Sequence, residues 1–471
     1  MIGLERLGVW ITKNPVIIIA VAVLLTLVSV HYAQQIESTG MTTESFVSKD
    51  SSLYQLYDHL YQENFGADGN IILIEGDNVA KADALSASLR LSDHMKMIPN
   101  VISVQSIADI VADAEYQSSG IRRIPSQERI DEILADAGSS IQGLMPDSRH
   151  TRMIVGMPTT ATLTESQRSE LLAEISSTVD FAEFPAGYST TVTGDPSFQA
   201  AIVALMNSSN GSVLLLCGVL MIVALLLVFR HVRWPLLPLP IVLLGIIWTI
   251  GAMGFFHIPM GMVTFAAFPI MIGLGIDYAI QFHNRIDEEL IKGKSSVEAA
   301  ISTVNHVAIP VAIAVTVTEA GFIALLSSPV PSINDFGKVC MIGLVMCYLS
   351  ALFVNTTVLY LSERKSPRKK KAEGHSEDGS AIGAFIENVA DFCVGRWKAV
   401  LAVALILSLA GNYADTMVPI ETNTKNYIPQ DLSPLIDLNH MKAFFGGTDS
   451  LKFLVQADDV TDPHNLRWMD D

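Results

Sequence analysis

The chain has 471 residues, of which 50% are hydrophobic and only 17% charged, and its formal net charge is −18. So apolar a chain, with so few charges, points away from a soluble enzyme and toward a membrane protein. The acidic balance argues against a nucleic-acid partner, because phosphate binding needs a basic surface.

Apolar windows of about 20 residues, enough to cross a bilayer, fall at 15–33, 211–229, 235–256, 262–283, 304–327, 335–361 and 397–417. Arg6 and Lys13 ahead of the first window imitate a signal peptide. No A-x-A cleavage site follows, however, and a similar segment recurs deep in the chain, so residues 1–33 are expected to form an N-terminus and a first membrane span.

Residues 34–208 follow as a soluble domain carrying 24 acidic and 10 basic residues. Its hydrophobic pattern predicts strands at 70–75 (NIILIE), 101–105, 152–157 and 189–193. Helices are predicted at 81–98 and 163–179, the second opened by Thr164. The order is β-α-β-β-α-β, the ferredoxin-like α+β unit, with a polar helical insertion at 106–143. His59, His94 and His150 stand apart without metal-ligand spacing, so each is expected to be solvated or packed. Met41 and Phe46 lie near the domain base, where an apolar substrate could touch them, although packing is the commoner role of such residues.

Spans two to six occupy 209–361, a basic linker 362–396, a seventh span 397–417, and a second soluble domain starts at 418–471. Arg230 and Arg233, then Arg285, Lys292 and Lys294, then RKSPRKKK at 364–371 mark alternate loops. The loops between them, HIPMG and SSPVPS, carry no Lys or Arg. The positive-inside rule therefore expects a cytoplasmic N-terminus and 34–208 outside, in the cytoplasmic (cell) membrane. Cys217, Cys340, Cys347 and Cys393 lie in or beside apolar runs and read as small buried hydrophobes.

An internal repeat is visible. TTESFVSKDSS and NFGADGNIILIEGDNV in the first half correspond to TNTKNYIPQDLSP and FFGGTDSLKFLVQADDV in the second. Phe46 matches Tyr427, Asp50 matches Asp431, and Phe65-Gly66 match Phe445-Gly446. The second copy stops about 80 residues in, so the chain is expected to be a fragment of a protein about twice the length of one half.

Within the fourth span, GLGIDYAIQF at 273–282 places Asp277 in an apolar run. A charged aspartate facing lipid costs roughly 2.5–3.5 kcal/mol on translocon scales, and intramembrane acids mostly mark ion or proton pathways. Gly273, Asp277 and Gln281 share one helical face, on which Gly273 admits a close neighbour, and Tyr278 points to the adjacent face. The alternative is a structural carboxylate that knits helices. Glu319, in TVTEAGF of the fifth span, is flanked by Thr316 and Thr318, which back-bond the helix or help to carry a proton. From a helix start near Thr303, Glu319 and Asp277 are expected to differ in depth by about 10 Å, too far for contact without a change of register or a break at Pro310.

The layout of one span, a large outside domain, five spans and a repeat resembles the resistance–nodulation–division (RND) superfamily, in particular its MMPL-like and hydrophobe/amphiphile exporter branches. GLGIDY matches the GxxxDY motif of that superfamily's fourth span, and TVTEAGFIALLSSPVPSINDFG resembles its fifth span and following loop. The resemblance covers nearly the whole chain. It implies proton-driven export of hydrophobic or amphiphilic molecules or lipids, with no cofactor beyond the proton gradient. By position it makes Asp277 the proton carrier, Tyr278 its motif partner, and Gly273 and Gly275 packing glycines; Glu319 with Thr318 departs from the usual pattern. A tenth-span partner motif and a second porter domain would lie beyond Asp471. Membrane lipids are expected partners, and a homo-oligomer is left open. Two other readings compete: a lipid or sterol sensor of the sterol-sensing-domain type, and a SecDF-like protein-export subunit. No Walker loop, zinc spacing or nucleophile elbow points to an enzyme.

Overall fold

A computed structural model of the chain describes residues 2–36, 38, 43–48, 51–56, 67–158, 163–228, 234–365, 381–418, 429–446 and 462. They form two compact units, 1–362 with 431–471, and 363–430. Met41, His59, Asp50, Phe65, Gly66 and Tyr427 lie outside the described residues.

The first unit opens with helix α1 (Ile2–Lys13) and, after Asn14, the first span α2 (Pro15–Ala33), started by a proline that needs no amide partner there. The sheet domain comprises β1 (Ala67–Glu75), α3 (Ala82–Met95), β2 (Ser103–Gln105), α4 (Ile107–Ser119), α5 (Gln127–Ala137), β3 (His150–Pro158), α6 (Glu165–Asp180) and β4 (Ser189–Thr193). The strands lie in the order β2-β3-β1-β4, every pair antiparallel. Central β1 pairs along its whole length with β3 and from Ile71 to Glu75 with β4, and its Ile72, Leu73 and Ile74 are buried. Thr164 caps α6 with a reciprocal Gln167 bond, as the sequence suggests. The insertion is less polar in place than its composition implies. Ile107, Val111, Ile130, Ile133 and Ile141 close a second small core against Leu85 of α3.

Among the described residues seven helices are long and apolar enough to cross a membrane, and the chain is a multi-pass, mostly helical membrane protein. The second span belongs to α7 (Asp195–Val228), which starts directly after Gly194. The window 211–229 therefore marks only the apolar part of a helix about 51 Å long at 1.5 Å per residue. Gly194 sits at φ +117, where a Cβ would press on the Gly69 carbonyl at 3.1 Å, so the turn from sheet to helix needs glycine.

Spans three to six are α8 (Pro238–Phe255), α9 (Ala267–Ile291), α10 (Ser296–Leu325) and α11 (Pro331–Leu349); α11 continues through a π turn (Ser350–Asn355) into α12 (Thr356–Lys365). α8 packs against α2, α9 and α11, and α9 also packs against α10 and α11. Close approach carries these contacts. A Cβ on Gly251 would fall 2.3 Å from the Cα of Ser29, and Trp248 donates to Thr26 at 3.0 Å, joining spans three and one. The fifth span departs from the expected start near Thr303. Ser295 forms a capping box with Glu298 and begins the helix seven residues earlier. Pro310 lies inside α10 without ending it.

The loop basics of the fourth and fifth spans have a local role as well. Arg285 at 2.8 Å, Lys292 at 3.5 Å and Lys294 all pair with the buried carboxylate of Glu289. Residues 43–46 form a helical turn against the start of α11, where Ser332 donates to the Ser45 carbonyl; Phe46 there is half-buried.

The second unit contains α13 (Ala381–Gly395) and the seventh span α14 (Trp397–Asp415). Cys340 and Cys347 are buried as expected, but Cys393 is exposed on α13. In the first unit, α15 (Ser433–Phe445) is the last described helix. Its Leu435, Leu438 and Met441 are buried, and it packs on β4 and α7.

Candidate functional site

The α9 helix presents its residues by the 3.6-residue period, and burial separates two faces. Met271, Ile272, Gly275, Ile276, Tyr278 and Ala279 turn into the bundle, whereas Ile270, Gly273, Leu274 and Asp277 stand exposed. Asp277 is thus on the open face, its carboxylate held by Gln281, whose Nε2 donates to Oδ2 at 2.8 Å. That bond is the one turn of spacing read from the sequence.

Of the two motif glycines expected to pack, one does so among the described residues. A Cβ on Gly273 would meet nothing within 4 Å, so this residue holds no neighbouring helix among the described residues. Gly275 does. A Cβ there would come 2.9 Å from Cys347 Sγ and 3.0 Å from its Cβ, on the sixth span. The same cysteine lies against Gly245 of the third span, where the added Cβ would approach its Cα to 2.8 Å. Two residues of offset turn a helix by about 200°, which is why one glycine faces out and the other in.

Tyr278 is 4% exposed. Its hydroxyl lies near Thr318 on the fifth span. No hydrogen bond or ion pair joins Asp277 to Glu319 among the described residues. Thr316 and Thr318 donate to the carbonyls of Ala312 and Ala314 at 2.8 and 3.0 Å, so both back-bond their helix. Glu319 is half-buried, and its Oε1 is sealed from solvent with no hydrogen-bond partner among the described residues.

Sequence reasoning missed the sixth span's part in this site. Its π turn places Ser350 Oγ 2.7 Å from the carbonyl of Ile241 and Asn355 Nδ2 2.9 Å from that of Ala279. Both side chains are fully buried, and π turns recur at functional sites. A polar triplet, Asn355-Thr356-Thr357, between apolar residues was the available signal.

Comparison with known proteins places this geometry. The MMPL family profile matches residues 48–405, about three quarters of the chain and with it spans two to six and the Asp277 site.

The chain belongs to the MMPL family.

It is therefore an RND-type membrane protein. A membrane protein of Methanocaldococcus jannaschii is 28% identical over 297 residues, 62% of this chain and 75% of that protein. The siderophore exporter MmpL5 of Mycobacterium tuberculosis is 25% identical over 369 residues, 71% of this chain but 37% of the exporter. The hopanoid transporter HpnN of Rhodopseudomonas palustris is 26% identical over 102 residues, 22% of this chain and 12% of the transporter. The matches thus span well under half the length of these two transporters. Their names are those of transporters or exporters, which argues for transport over catalysis in the MMPL chain.

Proposed function

We propose that this MMPL chain is part of a proton-motive-force-driven exporter of hydrophobic or amphiphilic molecules, lipids among them, in the cytoplasmic membrane. One observation carries the reading: an aspartate stands on the open face of a membrane-spanning helix, hydrogen-bonded to Gln281, in a family whose relatives are named for exporting siderophores and transporting hopanoids. In this reading Asp277 takes up and releases the proton, Tyr278 and Thr318 link it to the fifth span, and Glu319 is a separate relay position. Gly275 holds the site against the sixth span.

The sheet domain is proposed to be the porter domain, outside the membrane, with the N-terminus cytoplasmic. Its strand order and two flanking helices support a ferredoxin-like plan. The domain limits follow the sequence reading, with the porter domain at 34–208, the bundle at 209–361 and the basic linker at 362–396.

Each proton that crosses at 100 mV releases about 2.3 kcal/mol. Such a step shifts an equilibrium only if the charged and neutral carboxylate prefer different packing. The unbroken α7, running from β4 into the membrane, supports transmission of that shift to the porter domain.

The test is proton flux in proteoliposomes made with the full native-length protein under an imposed pH gradient, wild type against Asp277→Asn. Loss of flux in a folded variant supports the coupling role. Equal flux in the two would remove it, and the lipid-sensing reading would then lead.

A further inference from the structure

The helix α15 belongs to the second copy of the repeat, yet it rests on the sheet of the first. Its apolar side is buried, and its polar edge meets β1 and β3 at a chain of four ionisable groups. Glu75 Oε1 lies 3.0 Å from His440 Nε2 of α15 and 3.4 Å from His150 Nε2. The other nitrogen of His150, Nδ1, is 2.8 Å from both carboxylate oxygens of Asp147. Phe444 of α15 stacks on the His150 ring at 3.8 Å and 18°, and Arg152 lies 5.0 Å over Phe445.

We propose that this contact is an acid-strengthened clasp, in which protonation of His150 and His440 tightens the docking of α15 on the first sheet.

The argument is one of donors. A neutral imidazole has a single N–H, whereas its protonated form has two. His150 stands between two carboxylates, one at each ring nitrogen, so only the imidazolium donates to both. His440 then adds a second charge-assisted bond to the same Glu75 oxygen, and such bonds are shorter and stronger than neutral ones. The surrounding charges do not oppose this. Glu75 and Asp147 balance the two imidazolium charges, and Arg152 is turned onto the Phe445 ring. The α15 helix itself adds Asp437 and Lys442, of opposite sign; β4 adds no ionisable side chain, and α7 begins with Asp195. Among the described residues no group of three or more His, Cys, Asp or Glu is arranged to hold a metal ion, so protons are the ligand this cluster fits.

Hydrogen exchange read by mass spectrometry on the full chain in nanodiscs, with chelator and without substrate or gradient, tests the clasp. Comparing wild type with Glu75→Gln at each pH cancels the intrinsic pH dependence of exchange. Near pH 8 the amides of α15 should exchange alike in the two. Near pH 5.5, below the usual imidazole range, wild type should exchange on the order of tenfold more slowly, as expected when neutral hydrogen bonds become charge-assisted. His440→Gln should show a weaker pH response than wild type, and unchanged exchange in β1 and β3 shows that the sheet of either variant is folded. A ratio that does not change with pH, or an α15 unprotected in wild type at both values, overturns the proposal. The clasp does not rest on proton transport by Asp277, and exchange measured without a gradient leaves that reading untouched.

Discussion

Asn355 Nδ2 donates to the carbonyl of Ala279 at 2.9 Å, so the π turn of the sixth span grips the backbone of the fourth two residues beyond Asp277. Ser350 makes the equivalent bond to Ile241 of the third span. Together they fix the rotation of the helix that carries the carboxylate, because a helix held by its backbone cannot turn without breaking these bonds.

Asn355→Ala removes a buried donor and leaves space behind it. Losing such a bond costs about 1–3 kcal/mol. We expect thermal unfolding in detergent at a lower temperature than wild type, together with reduced proton flux at unchanged Asp277. Wild-type behaviour in both assays would show that the grip has no part in holding the site.

The two motif glycines should separate cleanly. Gly275→Ala drives a methyl into Cys347, and overpacking of this kind costs about 1–3 kcal/mol. Gly273→Ala meets open space and gains helix propensity of up to about 1 kcal/mol. Melting curves of the two variants should therefore move in opposite directions. A destabilised Gly273→Ala would reveal a neighbour on the open face.

Tyr278→Phe keeps the buried ring and deletes only the hydroxyl near Thr318. Removing one hydroxyl changes stability by about 1 kcal/mol at most. Stability should fall slightly while proton flux falls far more. Equal flux would confine Tyr278 to packing.

The sheet domain should weaken in acid through Asp109. Desolvation acts to raise its pKa, but donation from Lys96 at 2.7 Å, Ser106 at 2.6 Å and Ser92 at 2.7 Å outweighs this and holds it below the ordinary 3.8. Arg122 adds a further bond at 2.6 Å. A carboxylate with a lowered folded-state pKa stabilises the fold fully above its unfolded value, and that contribution disappears as pH falls through the folded one. Melting temperature should therefore drop below about pH 3.8, and Asp109→Asn should flatten that slope while lowering stability at neutral pH. An unchanged slope would assign acid sensitivity elsewhere.

Much of the site was legible before any coordinates. Asp277 is a charge in an apolar run, and its turn with Gln281 follows from helical spacing alone. The helix start at Thr164 and the strand positions followed from equally local signals. Burial was not legible. The motif suggested both Gly273 and Gly275 as packing glycines, and among the described residues only Gly275 meets a neighbour, because which face turns inward depends on Cys347, 72 positions along the chain.

Sequence alone determined the membrane class and the spans, and it singled out a carboxylate in an apolar run, since each rests on short-range hydropathy and periodicity that a linear chain displays. Tertiary structure decided what touches what. His150 reads as an isolated histidine because its partners include Glu75, 75 positions upstream, and Phe444, 294 positions downstream. Asn355 is one polar residue in a span until the π turn aims it at Ala279. Contacts of that kind are formed by packing between distant segments, and no local pattern in the chain encodes them.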